Sequence, residues 1–432
     1  MGEKALIIGS GLIGVTSAYV LARRGWEVTV LERRDGAGEE TSFANGALLT
    51  PSMPEPWNTP GSWRLLLKSL VRSDTPLKVR PSALPSLTGW GTAFLRNSTP
   101  ERYERNSLNN LALALHSIAR MEDLRRETGI EYGAAAPGTL RVFRDPAAFE
   151  RAVAWAERLR SGGLEFHRLT AEETVSLEPA LGPIRAQLSG GIHYPVDEVG
   201  DAYKFCVAMA GHCARAGVEL RFRTTVSRIE TRGNRVTGVI CDGERHSADR
   251  YVVAAGSYTP ALLAPLGIRV PVRPAKGYSI TFDRPAMAPP LRVPLADDDF
   301  HAVVVPLESV IRVAGTAEFT GFDLSLPPAR IRNLLTLLRQ VLPQVRLEPG
   351  AVTPWCGLRP MSPDGVPIIG RTPLENLWIN TGHGHLGWTM AAGSAQLLAE
   401  LMSGGAPGIE AQPYALARFG AAGGARAGAA AA

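Results

Sequence analysis

The sequence predicts an α/β protein of two interleaved domains: a Rossmann-like nucleotide-binding domain, and an α+β domain built on an antiparallel sheet. Three observations predict it. A βαβ pattern opens the chain, with glycines at 9, 11 and 14 between its first strand and its helix. Elements of the same kind return after Asp201, and a run of strand-like segments follows Pro271. The 432 residues also exceed the roughly 250–300 at which one core stops growing, so two domains are expected.

Taken in order, Lys4 to Gly9 is a short apolar strand, Leu12 to Gly25 has helical periodicity, and Trp26 to Glu32 alternates as a second strand. Pro54 to Pro195 is a different kind of region, with Pro-rich turns and helices over Trp63–Val71, Arg105–Thr128 and Ala147–Ser161. From Asp201 a helix through Ala216 leads to strands at Glu219–Phe222, Val226–Thr231, Arg235–Cys241 and Tyr251–Ala255, which are expected to rejoin the first sheet. Pro271–Val313 reads as antiparallel strands and Pro328–Leu342 as a helix. Leu377–Ile379 reads as a strand and Leu386–Met402 as a long helix. The nucleotide domain is accordingly placed at 1–55, 196–270 and 350–417, and the second domain at 56–195 and 271–349. The Ala/Gly-rich tail 418–432 lacks core-forming residues and is expected to be disordered.

Composition narrows the function. Hydrophobic residues make up 45% and charged residues 20%, as in ordinary folding globular chains. The net charge of +5 is mild and the basic residues are interspersed with acidic ones, which argues against a nucleic-acid partner. The four cysteines, Cys206, Cys213, Cys241 and Cys356, have neither metal-ligand nor disulfide spacing, so no metal and a reducing, cytoplasmic setting are expected. The apolar stretch Ala5–Ala22 holds three glycines and runs into a charged segment, so it is read as strand and helix, not a signal segment.

The turn Gly9-Ser-Gly11-Leu-Ile-Gly14 has the glycines that a tight turn, a close pyrophosphate and close helix packing need, at the positive end of a helix. Glu32 ends the second strand about 20 residues on, where a carboxylate accepts from a ribose diol and disfavours a 2′-phosphate. The motif alone leaves FAD and NAD open. A second Gly-rich turn, Thr381-Gly-His-Gly-His-Leu-Gly-Trp-Thr389, opens the last long helix and aims free N–H groups at one spot. Two such anchors, one at each end of the chain, suit the longer FAD.

These blocks, with Thr41-Ser-Phe-Ala-Asn-Gly46, Gly138-Thr-Leu140, Val253-Ala-Ala-Gly-Ser-Tyr258, Lys276-Gly-Tyr-Ser279, Trp355-Cys-Gly-Leu-Arg-Pro-Met-Ser-Pro-Asp-Gly365, Gly370-Arg371 and Trp388-Thr-Met-Ala391, resemble the small subunit of bacterial D-amino-acid dehydrogenases, within the D-amino-acid oxidase and glycine oxidase superfamily. The resemblance covers nearly the whole chain. It implies an FAD-binding domain of the glutathione-reductase type, a substrate domain whose sheet covers the flavin, and oxidation of a D-amino acid by hydride transfer from Cα. It further implies that Gly9, Gly11, Gly14, Glu32, Arg33, Ser42, Asn45, Val226, Gly256, Gly384, Gly387 and Thr389 hold FAD. Arg359 would hold the substrate carboxylate, with Tyr278 as a second contact; on residue chemistry alone, His383 and His385 are candidates for acid and base.

Residue chemistry supports the role of Arg359, since a planar guanidinium grips a carboxylate by two parallel hydrogen bonds. A structural ion pair, for example with Asp364, is the alternative. For Tyr278 the alternative is a core ring with its hydroxyl satisfied locally. For His383 and His385 it is a hydrogen bond to backbone or flavin groups.

Two stretches depart from the family pattern. Leu48–Trp57 lacks the glutamine and tyrosine of alanine-oxidising members, and the segment from His301 to Glu308 is unusually apolar. His385 stands where some members resemble one another in carrying threonine. Met53, Val304 and His385 are therefore expected to shape a different substrate pocket, which brings in a cyclic imino acid such as D-proline or hydroxy-D-proline. The acceptor is a quinone, another acceptor, or oxygen in an oxidase. Basic and apolar residues over Trp63–Leu95 fit either a peripheral membrane contact or helices capping the second domain. A nucleotide-binding module using FAD structurally is the non-enzyme reading.

Overall fold

The structure, a computed structural model, describes residues 2–62, 77–80, 84–284, 289–297 and 302–420. A six-stranded sheet runs in the order Ile368–Arg371, Leu377–Thr381, Arg250–Val253, Lys4–Ile8, Glu27–Leu31, Glu219–Arg221. All neighbours are parallel except the first pair. Strand Lys4–Ile8 is apolar on both faces because both are covered. Ala5 and Ile7 face helices Leu12–Arg23, Ala202–Arg215 and Gly387–Met402. Leu6 and Ile8 face Ile229, Val236 and Val239 of a separate three-stranded sheet.

That separate sheet corrects one expectation. Val226–Arg232 and Arg235–Cys241 pair with each other and not with the first sheet, which Glu219–Arg221 and Arg250–Val253 do join. Their exposed, charged outer faces suit a layer lying over the main sheet.

The second domain holds a nine-stranded sheet whose order begins Thr353–Met361, Arg273–Asp283, Val310–Phe319, Ala302–Pro306, Leu295–Asp297, Thr139–Phe143, Gly190–Tyr194. Helix Pro328–Val341 covers its back face with Leu334, Leu338 and Val341. The front face looks toward the nucleotide domain.

The expected domain limits shift at three places. Thr353–Met361 hydrogen-bonds along Arg273–Asp283, so the chain re-enters the nucleotide domain after this strand and not at residue 350. Helix Pro100–Thr128 contributes Leu113, Met121 and Leu124 to the same core as the fingerprint helix, although it was assigned to the second domain. Leu416–Phe419 forms a 3₁₀ turn, and Arg418 there binds Asp364 through both oxygens, so order extends past 417. The expected helix Trp63–Val71 and the tail beyond Gly420 lie outside the described residues.

Candidate active site

A cavity of about 1040 Å³ runs between the two domains, from the end of strand Glu27–Leu31 to the front face of the large sheet. At its first end the fingerprint turn lies bare. Gly9 has φ +104°, and a Cβ there would sit 2.8 Å from the Ala254 carbonyl. Gly11 faces the cavity, with only the Ser42 hydroxyl near, and that hydroxyl accepts from Leu12 N at 3.2 Å. Gly14 does not line the cavity; a Cβ there would lie 1.9 Å from Gly9 O, so its role is to let helix and strand approach. Glu32 accepts from Ser10 N and Ser10 Oγ, both at 2.8 Å, and from Arg34 N at 2.9 Å, which fixes its carboxylate at the cavity rim. Arg33 lies over the Tyr258 ring at 3.9 Å and pairs with Glu40. Asn45, Val226 and Gly256 line the same channel.

The C-terminal turn meets the channel from the other side. Gly382 and Gly384 have φ +78° and +57°, and Gly384 N donates to Pro360 O at 2.9 Å. Helix Gly387–Met402 begins at the cavity with no side-chain cap on its first turn. Thr389 departs from expectation: it is not part of the cavity wall, and its hydroxyl accepts from Thr50 N at 2.9 Å. The remaining residues fit FAD. A glycine-lined cradle, an oriented ribose-accepting carboxylate and an uncapped helix end all open onto one elongated cavity.

The second end carries the reactive-site candidates. Arg359 stands on strand Thr353–Met361 and crosses its neighbour at Gly277, where a Cβ would lie 2.7 Å from its Cζ. Gly357 likewise clears the sheet face for Trp355. The Arg359 guanidinium lies 5.4 Å from the Trp57 ring centroid and meets no carboxylate among the described residues. Asp364, the alternative partner, is bound to Arg418. Burial without a counter-ion pulls the Arg359 pKa down to about 10, so it stays charged at neutral pH. His385 stacks on the Trp57 ring, with centroids 5.8 Å apart. Although part of its surface opens into the cavity, the surrounding protein and the nearby Arg359 charge hold its pKa down at about 4. Met53 lines the wall and meets His385 through a backbone hydrogen bond.

Three expected site residues have their side chains engaged elsewhere, although Tyr278 and His383 still line part of the cavity. Tyr278 points to the back of the sheet among Ile280, Val313 and Leu334, and its hydroxyl donates to Glu318 Oε2 at 2.9 Å. Alternation along the strand sends Gly277 and Ser279 forward and Tyr278 backward. Val304 belongs to the same back-face core, while Val303 lines the cavity. His383 is 3% exposed, Nε2 lies 2.9 Å from Ser394 Oγ, and burial drives its pKa down to about 3, so it is a neutral tie between turn and helix. Sequence reasoning gave no role to Trp57, Trp355, Ser279 or Glu55. The strand register relative to Arg359 was the available signal for Trp355 and Ser279. Nothing local marked Trp57 beyond its unusual segment.

Comparison with known proteins follows this geometry. A family model described as FAD dependent oxidoreductase (DAO) matches residues 4–401. The D-amino acid dehydrogenase of Dechloromonas aromatica is 44% identical over 411 residues, covering 94% of this chain and 98% of that protein. That of Paramagnetospirillum magneticum is 43% identical over 419 residues, covering 96% and 99%. Among solved structures, glycine oxidase from Geobacillus kaustophilus superposes with a TM-score of 0.74 at 23% identity over 96% of this chain and 99% of its own. L-proline dehydrogenase from P. horikoshii gives 0.76 at 19%, over 97% and 98%. Both share the fold. With the glycine cradle, the covering sheet and a family match across most of its length, the chain belongs to the DAO family of FAD-dependent oxidoreductases and sits there beside D-amino acid dehydrogenases.

Proposed function

We propose that this protein oxidises D-amino acids at the Cα–N bond, with Arg359 holding the substrate carboxylate. The observation that carries the reading is a half-buried guanidinium that meets no carboxylate among the described residues, in a cavity continuous with the FAD cradle. An uncompensated buried cation is costly, and a carboxylate ligand supplies the missing charge. Bidentate binding at Arg359 fixes which face of Cα is presented, while Trp57, Trp355 and Met53 exclude water around it. His385 stays neutral and so adds no second positive charge beside Arg359. When bound, FAD supplies the hydride acceptor. The amine must arrive neutral, and the released imine hydrolyses in water to a 2-oxo acid and ammonia.

A cyclic imino acid is the second reading, favoured by the apolar, aromatic wall of Met53, Trp57 and Trp355. Reoxidation goes to a quinone or another acceptor, and peripheral membrane contact belongs to the same proposal. Among the described residues, no helix is long and apolar enough to cross a membrane.

Arg359→Ala tests the carboxylate role. The variant should keep its yellow FAD while kcat/KM for its D-amino acid falls by about 100-fold or more, the order of a lost charged bidentate contact. Wild-type turnover in that variant would remove Arg359 from the site.

A further inference from the structure

The two chain crossings that enter and leave the nucleotide domain beside the cavity are tied together. Leu48–Leu49 pairs antiparallel with Glu198–Val199, and the tie continues at Ser52 and Asp197. Ser52 N donates to Asp197 Oδ1 at 3.2 Å, and Ser52 Oγ lies 2.5 Å from Oδ2. Asp197 is fully buried and no cation pairs with it among the described residues. Immediately beyond Ser52 come Met53, Glu55 and Trp57, all in the cavity wall.

The rest of this loop is fastened independently. Thr50 N donates to Thr389, Asn110 donates to Pro54 O, and a Cβ on Gly365 would collide with Pro56. Those fixings hold the middle of the loop, so the Ser52–Asp197 contact governs its first wall residue, Met53, which directly follows Ser52 and meets His385 through its backbone. We propose that Asp197 is a positioning residue for substrate: through Ser52 it sets where Met53 stands against His385 in the cavity wall, and its ionisation state modulates substrate affinity. The proposal rests on the reading that this cavity binds a D-amino acid.

The protonation dependence has a physical basis in that geometry. Burial is the largest influence on Asp197 and raises its carboxyl to about 7, against the hydrogen bonds from Ser52. The charged or titratable groups around it are Glu55 on the loop, Tyr194 on the adjoining strand, and Arg141, which reaches Tyr194 and Glu55. The ionised form accepts from both Ser52 donors. The protonated form needs one oxygen for its own O–H and reorganises the contact, so the loop is held differently on the two sides of neutrality.

The test uses holoenzyme, anaerobic flavin bleaching and steady-state turnover with a D-amino acid from pH 6 to 8.5. The wild type should display a step in KM near neutrality; Asp197→Asn and Ser52→Ala should each raise KM about tenfold, leave kcat within about twofold, keep FAD bound, and remove that step. Ser52→Ala retains the carboxyl, so it serves if Asp197→Asn does not fold. Glu55→Gln keeps the step if Asp197 is its source. Unchanged KM and an unchanged pH profile in Asp197→Asn or Ser52→Ala would overturn the positioning role, as would loss of the step in Glu55→Gln alone. Wild-type protein that no D-amino acid bleaches would overturn the underlying reading itself.

Discussion

At the scale of single residues, the site depends on what one glycine leaves out. Arg359 reaches the cavity only because Gly277 has no side chain beneath its guanidinium. Gly277→Ala should therefore displace Arg359 and raise KM for the D-amino acid while FAD content is unchanged, as read by substrate titration of the yellow protein. The histidines make a second prediction through pH. His383 and His385 have folded pKa values near 3 and 4, below the unfolded value of about 6.5. The unfolded chain then binds protons that the folded chain refuses. Their contribution to stability is complete above pH 6.5 and is lost as pH falls toward 4. Melting temperature should drop from pH 7 to pH 5, and His385→Asn should drop less than wild type. An equal drop in both would remove His385 from the account.

At the scale of elements, the strands and helices flanking the cavity were legible because their periodicities are strong. Arg235–Cys241 was expected at its observed limits, and Pro328–Leu342 ends one residue later than the helix Pro328–Val341. Partnership was not legible. Val226–Arg232 has the composition of a strand, but nothing local says which sheet it joins, and Thr353–Met361 is assigned only by its register with Arg273–Asp283. The ion pair of Arg418 with Asp364 joins residues 54 apart and was hidden for the same reason. It fastens the C-terminal turn to the loop that follows the Arg359 strand. Asp364→Ala leaves a largely buried guanidinium unpaired and should cost about 3 kcal/mol, visible as a lower denaturant midpoint at unchanged slope. A midpoint within error of wild type would show that the tie adds nothing.

At the scale of the whole molecule, two sheets facing one another across an elongated cavity divide the work: one cradles a dinucleotide, the other presents Arg359 and its aromatic neighbours. The cradle could be read from sequence because its glycines and Glu32 fall within one continuous βαβ unit. The substrate end draws on segments near residues 53–57, 277, 355–359 and 385, and which side of a strand faces the cavity depends on register. That is why Arg359 was anticipated from the family resemblance, while Val304, one position out of phase with Val303, was expected in a wall it does not line. Anaerobic addition of D-amino acids, their L enantiomers and D-proline to the purified yellow protein tests the central claim most directly. The account predicts that the flavin colour bleaches with a D-amino or D-imino acid and persists with the L forms. Persistence of the colour with every D-substrate, or equal bleaching by both enantiomers, would contradict it.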